Sequence, residues 1–168
     1  MKRNIVLTIF FLAALLLSLA GAGAVEDGRA CSLRSVAGEW GYTFTGTLNY
    51  PTPTGPTLFA GVGKYIFDAE GNVSSTQTSS LGGTVVENTI TGTITVNSDC
   101  TGTITVSVYD QSGTTLLRKA VWAVLFDDNV REFRAIMKSL EAEPGDTSVP
   151  PIVTEEGKRL FPHRGGEH

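Results

Sequence analysis

The hexapeptide TGTITV occurs twice, at Thr91–Val96 and again at Thr101–Val106, ten positions apart. Its alternation constrains the fold more than any other feature. Ile90, Gly92, Ile94 and Val96 fall on one parity, with Thr89, Thr91, Thr93 and Thr95 on the other. The second copy repeats the pattern, setting Gly102, Ile104, Val106 and Val108 against Thr101, Thr103, Thr105 and Ser107. A period of two in β-branched residues means a strand with one buried and one wet face. Asn97-Ser98-Asp99 between the copies is a turn cluster, so the repeat predicts an antiparallel hairpin with matched faces. Its glycines permit bending or close approach in a curved sheet.

The same pattern extends along the chain. Strands are predicted at 38–50, 58–67, 73–80, 84–96, 101–109, 115–126 and 130–138, and a last short one at 152–160. Turn clusters separate them, among them Asp68-Ala69-Glu70-Gly71-Asn72, Gly82-Gly83, Asp110-Gln111-Ser112-Gly113 and Asp127-Asp128-Asn129. No segment of this region shows a helical period. The expected fold is all-β: an up-and-down antiparallel meander of about eight strands that closes into a barrel. Closure removes the two unpaired edges an open sheet would expose. A β-sandwich is the alternative, although its crossing connections usually need longer loops.

The ends set the domain plan. Lys2 and Arg3 precede an apolar run from Ile5 to Ala20, and Ala22-Gly23-Ala24 supplies small residues for a peptidase. Residues 1–24 therefore read as a signal peptide, 25–37 as an N-terminal lead, 38–138 as the barrel domain, and 139–168 as a loop and C-terminal tail. Cys31 follows Gly28-Arg29-Ala30, which does not suit lipid attachment. The expected location is secreted or periplasmic, with no membrane association after cleavage. Removal of Lys2 and Arg3 leaves 11 basic against 17 acidic residues, a formal charge of −6. Nucleic-acid binding needs clustered Lys and Arg, so no nucleic-acid partner is expected. Export also favours a disulfide between the two cysteines, Cys31 and Cys100. Two thiols without a nearby histidine cannot close a tetrahedral metal site, and neither metal nor cofactor is expected.

Candidate chemistry is sparse. His163 and His168 lie in a Pro- and Gly-flanked tail, no nucleophile elbow is present, and no catalytic residue is assigned. The acids of the turns are expected to serve turn geometry. Glu132 and Arg134 share a parity; if it faced inward they would be buried charges, but Phe133, Ala135 and Met137 form the cleaner apolar inner set. Arg118 is expected at the rim of the barrel. Both faces of the strand 115–126 are apolar, which predicts cover by the C-terminal tail or a second subunit, the latter making a homo-oligomer.

Gly38-Glu39-Trp40 opens the first strand as Gly-x-Trp, and in this the chain resembles lipocalin-like (calycin) barrels. The resemblance implies that an arginine from the last strand lies across the Trp40 indole, with Arg131, Arg134 and Arg159 as candidates. It implies carriage of a small apolar molecule. That family places a helix after its barrel, which this chain lacks a pattern for. Cys-Thr-Gly-Thr at 100–103 and the Asp-x-x-Gly-Asn turn also resemble small exported bacterial β-barrel proteins of unassigned activity.

The leading expectation is a non-enzymatic binding barrel with a cavity lined by Trp40, Tyr42, Phe44, Tyr65, Phe67 and Trp122. Gly61 and Gly63, on the inner parity with Phe59 and Tyr65, suggest unfilled room. Two alternatives stand beside it. One is a barrel with a packed interior that acts through its outer surface. The other is an enzyme similar to the dirigent proteins and allene oxide cyclases, which would need an inward charge such as Glu132 or Arg134.

Overall fold

The computed structural model describes residues 30–51, 53–127, 129–143 and 147–160. The signal-peptide reading of 1–24 and the histidines of the tail lie outside these residues. A single helical turn, α1 (Leu33–Val36), precedes nine strands: β1 (Gly38–Asn49), β2 (Pro56–Phe67), β3 (Asn72–Leu81), β4 (Thr84–Val96), β5 (Thr101–Tyr109), β6 (Leu116–Phe126), β7 (Glu132–Ala142), the two-residue β8 (Thr147–Ser148) and β9 (Pro151–Arg159). Each of β1 to β7 pairs antiparallel with the next in sequence. β9 then lies between β7 and β1 and pairs with both, which closes the sheet. The result is an eight-stranded antiparallel barrel, with β8 added to the end of β7.

The repeated hexapeptide forms the β4–β5 hairpin, with Ile94 opposite Ile104 and Thr93 opposite Thr105. The isoleucines are buried and the threonines lie along the outer face. Both glycines of the repeat sit where strands approach closely. A Cβ at Gly92 would collide with the Thr105 carbonyl oxygen, and one at Gly102 with that of Thr95. No other residue fits this curvature.

The largest departures from the expected bounds follow β6; the other strand ends differ by at most two residues. β7 runs to Ala142 rather than 138. The register steps from Val121↔Ser139 to Trp122↔Met137, so Lys138 is an extra residue in a β-bulge. Beyond it the inward parity flips from Phe133, Ala135 and Met137 to Leu140, which is why the alternation breaks at 138 while the strand continues. The stretch assigned to a loop also supplies β8. The remaining corrections concern room: Gly61 and Gly63 do face inward, but their space is taken. They pair with Phe44 and Tyr42, and a Cβ on either would come within 2.5 Å of the partner's ring.

The turn acids act as backbone locks. Asp68 accepts hydrogen bonds from the Glu70 and Asn72 amides at 3.0 and 2.7 Å, and Asp127 from those of Arg131 and Glu132 at 2.6 and 3.0 Å. Asp110 takes the Ser112 hydroxyl and the Thr114 and Thr115 amides, and these bonds hold its carboxyl down at about 2.

One end of the barrel is sealed. Trp40, fully buried, packs against Phe67, Phe126 and Phe133 at centroid distances of 6.2, 5.5 and 5.6 Å. Its indole N–H donates to the Val36 carbonyl at 2.9 Å, so α1 sits over the plug. Of the three candidate arginines, Arg159 crosses the indole, with its Cζ 5.0 Å from the ring centre. It also donates to the Ser35 and Ala37 carbonyls at 2.5 and 3.2 Å, tying the last strand to the lead. The Cys31–Cys100 disulfide anchors the lead to the β4–β5 turn across 69 positions. A loop of that length contributes roughly 4 kcal/mol on the chain-entropy account.

Candidate functional site

The interior changes character away from the plug. β3 turns Ser75, Gln77 and Ser79 inward, and all three are buried together with Asn88 of β4. Buried amides and hydroxyls must find partners, and these find one another. The Tyr42 hydroxyl lies 3.0 Å from Ser75 Oγ and donates to Gln77 Oε1 at 3.2 Å. Gln77 Nε2 and Ser79 Oγ both donate to Asn88 Oδ1, at 3.4 and 3.1 Å. Asn88 in turn donates to the Tyr109 carbonyl at 3.0 Å. A polar band therefore runs from mid-barrel to the end opposite the plug.

Two charged side chains join it. Arg118, at the start of β6, reaches the same Asn88 Oδ1 at 3.2 Å and lies 5.1 Å over the Phe59 ring. Desolvation lowers its pKa from the ordinary value. It is half-buried at the open end, in keeping with a rim residue. Glu155 of β9 is the second, and it is 2 % exposed. It sits in register with Phe44 on one neighbour and Ala135 on the other, at mid-depth. Its Oε2 accepts from the Tyr65 hydroxyl at 3.4 Å, while Oε1 has no hydrogen-bond partner among the described residues. Burial pushes its carboxyl up to about 8, the Tyr65 bond offsetting this in part. The Tyr65 and Tyr42 phenols, stacked at 4.1 Å, are raised as well, first by burial and then by the nearby Glu155 charge, so they stay neutral donors.

A cavity of about 20 Å³ lies among these groups, lined by Phe44, Phe59, Tyr65, Gln77, Arg118, Trp122 and Glu155 with aliphatic side chains of β4 to β7. That is room for one water-sized guest. Of the six residues expected to line a cavity, Phe44, Tyr65 and Trp122 do so. Tyr42 stands behind them in the hydrogen-bonded band, and Trp40 and Phe67 belong to the plug. Glu132 and Arg134 point outward, paired with Lys158 at 3.0 Å and Glu156 at 3.9 Å. The charges that line the interior are Glu155 at mid-depth and Arg118 from the rim, and Glu155 was not among the residues expected there. Val153, Glu155 and Gly157 share a parity, and the burial of Val153 with the ring of Phe133 over Gly157 marks it as the inner one.

The outer face of β6 is open to solvent at Leu125, 53 % exposed, beside Ile136 of β7, 54 % exposed. No described segment covers them. Among the described residues no helix is long and apolar enough to cross a membrane.

No family model matches the chain, and no curated protein does either. A solved structure does: EF1p2_mFAP2b bound to DFHBI, 13 % identical, with a TM-score of 0.52 over 77 % of this chain and 100 % of that one. At that identity the likeness is one of fold. It agrees with the closed antiparallel barrel.

Proposed function

We propose that the protein is a small-molecule-binding barrel of the lipocalin-like kind, exported to the cell exterior or periplasm, that takes its ligand through the Arg118 end and carries out no reaction on it. The observation that carries this reading is Glu155. A buried carboxyl with one oxygen unpartnered at a cavity wall costs stability, and an aliphatic side chain there would pack better. Such a group at a cavity wall is a candidate contact for a ligand. The neighbour of the same fold, which has DFHBI bound, lends general support to a binding barrel. The disulfide and the signal-like N-terminus support export. The cavity as it stands is small, so a ligand larger than a few atoms requires Arg118 or Met137 to swing aside.

The competing reading is a packed barrel that acts through its surface, and the exposed Leu125 and Ile136 favour assembly along the outer face of β6. One experiment separates the two. Native mass spectrometry of the purified protein reads both co-purified small molecules and subunit count. Titration with DFHBI and with an anilinonaphthalene sulfonate is then followed through the emission of Trp122, using Trp122→Phe to identify the signal. A bound mass or a saturable Trp122 response is expected. A ligand-free multimer with no response to either probe would favour the packed barrel.

A further inference from the structure

Resting on the binding reading above, we infer that the cavity is built for a compact organic ammonium ion, whose N–H groups donate to Glu155 Oε1 between the rings of Phe44, Tyr65 and Trp122. Three observations lead there. The unpartnered atom becomes a pure acceptor once Glu155 ionises, and no ion pair joins Glu155 to a described residue. The cavity therefore asks for a hydrogen-bond donor, and a positive one answers the carboxyl fully. The walls are aromatic, and ring faces attract cations more strongly when water is excluded. Finally, a water-sized cavity matches an ammonium head. Its short hydrocarbon tail would lie along the aliphatic lining or against Met137, whose unbranched side chain repacks readily.

The charged and titratable groups around Glu155 agree with this. Tyr42 and Tyr65 face it as neutral phenols. Arg118 is engaged by Asn88 and Phe59 at the rim. A carboxylate ligand would face the Glu155 oxygens and could be met only from the rim, where Arg118 already donates to Asn88. An alcohol would supply a hydrogen bond without charge.

The arrival of an ammonium ion also has a proton consequence. In the free barrel Glu155 keeps its proton near neutrality, since burial holds the carboxyl up at about 8. Binding a cation favours the carboxylate, so the acid O–H bond breaks heterolytically and the proton leaves to solvent. One ammonium bound at pH 7 therefore releases up to about one proton.

Isothermal titration of the full protein at pH 7 with propylammonium, propanol and propionate tests this, each run in two buffers of different ionisation enthalpy. The expected result is propylammonium binding at least about tenfold tighter than the other two, with proton release. Glu155→Gln, a neutral isostere, should remove both the preference and the release. The inference is overturned if propanol or propionate binds as well as the amine, or if amine binding is unchanged in Glu155→Gln. Binding of either of those two, or of DFHBI, would leave the binding-barrel reading intact. If none of these binds, both readings fall. The comparison among ligands on the unmodified protein, and its proton release, decide the matter even if the variant folds poorly.

Discussion

The two ends of this barrel are built from opposite materials. At the plug, Trp40, Phe67, Phe126 and Phe133 interlock, with α1, Arg159 and the disulfide laid over them. Toward the other end the inner wall carries Ser75, Gln77, Ser79, Asn88, Arg118 and Glu155. Both regions are closed to bulk water at their centres. One uses that dryness to pack rings. The other uses it to hold polar groups in fixed positions, at a cost a purely structural barrel would avoid. The contrast separates the part that holds the fold from the part that can respond to a guest.

The largest expected effect breaks the plug. Trp40→Ala removes a fully buried indole and its bond to the Val36 carbonyl, and should destabilise by about 5 kcal/mol in urea or guanidinium denaturation. A loss below about 2 kcal/mol would mean that the plug does not carry the fold.

The next effect comes from the polar half. Glu155 has an ordinary value of 4.5 and is pushed up to about 8 in the folded barrel. The folded state therefore holds the proton more tightly than the unfolded chain. Stability from this group is complete below pH 4.5 and falls as the pH rises toward 8, by up to about 1.4 kcal/mol per pH unit and about 4 kcal/mol in all. Asp68, Asp99 and Asp110, with lowered values, act in the opposite sense and at more acid pH, so among the described residues the window from about 5 to 8 belongs to Glu155. Denaturation midpoints across that window should decline in the native protein and stay flat in Glu155→Gln. A flat profile in both would make Glu155 solvated rather than buried.

A smaller effect sharpens the boundary between the halves. Gly63→Ala places a methyl group 2.5 Å from the Tyr42 ring and 2.7 Å from the Thr76 carbonyl oxygen. Overpacking of this kind should cost about 2 kcal/mol in the same denaturation assay. Gly63→Ser would behave alike, because the obstacle is the Cβ. An unchanged midpoint would show that Tyr42 has room to move.

The barrel was legible because alternation survives in nearly every strand, most plainly in the doubled hexapeptide. Gly-x-Trp pointed to an arginine over the indole, which only the pairing of β9 with β1 identifies as Arg159, whereas Trp40 itself was expected to line a cavity and instead seals one end. The polar half was much less legible, for a physical reason. In β3 both parities are polar, Ser74, Thr76 and Thr78 against Ser75, Gln77 and Ser79, so period two carries no direction. In β9, Glu155 and Glu156 are adjacent, and the one that enters the interior is decided by register with Phe44 and Ala135, residues far away in sequence. Gly61 and Gly63 looked like empty space because their ring partners lie on another strand. Pattern reveals which way a strand faces when its two faces differ; it is silent when they match.

Arg159 stands at the end of the final strand yet clasps the carbonyls of residues that come before the first. The lid over the plug thus cannot be fastened until β9 is in place. A molecule clipped before β9 would leave β1 and β7 unjoined as raw sheet margins, with the Trp40 indole missing its arginine. Closure of the barrel and fastening of its lid are, in this protein, the same event.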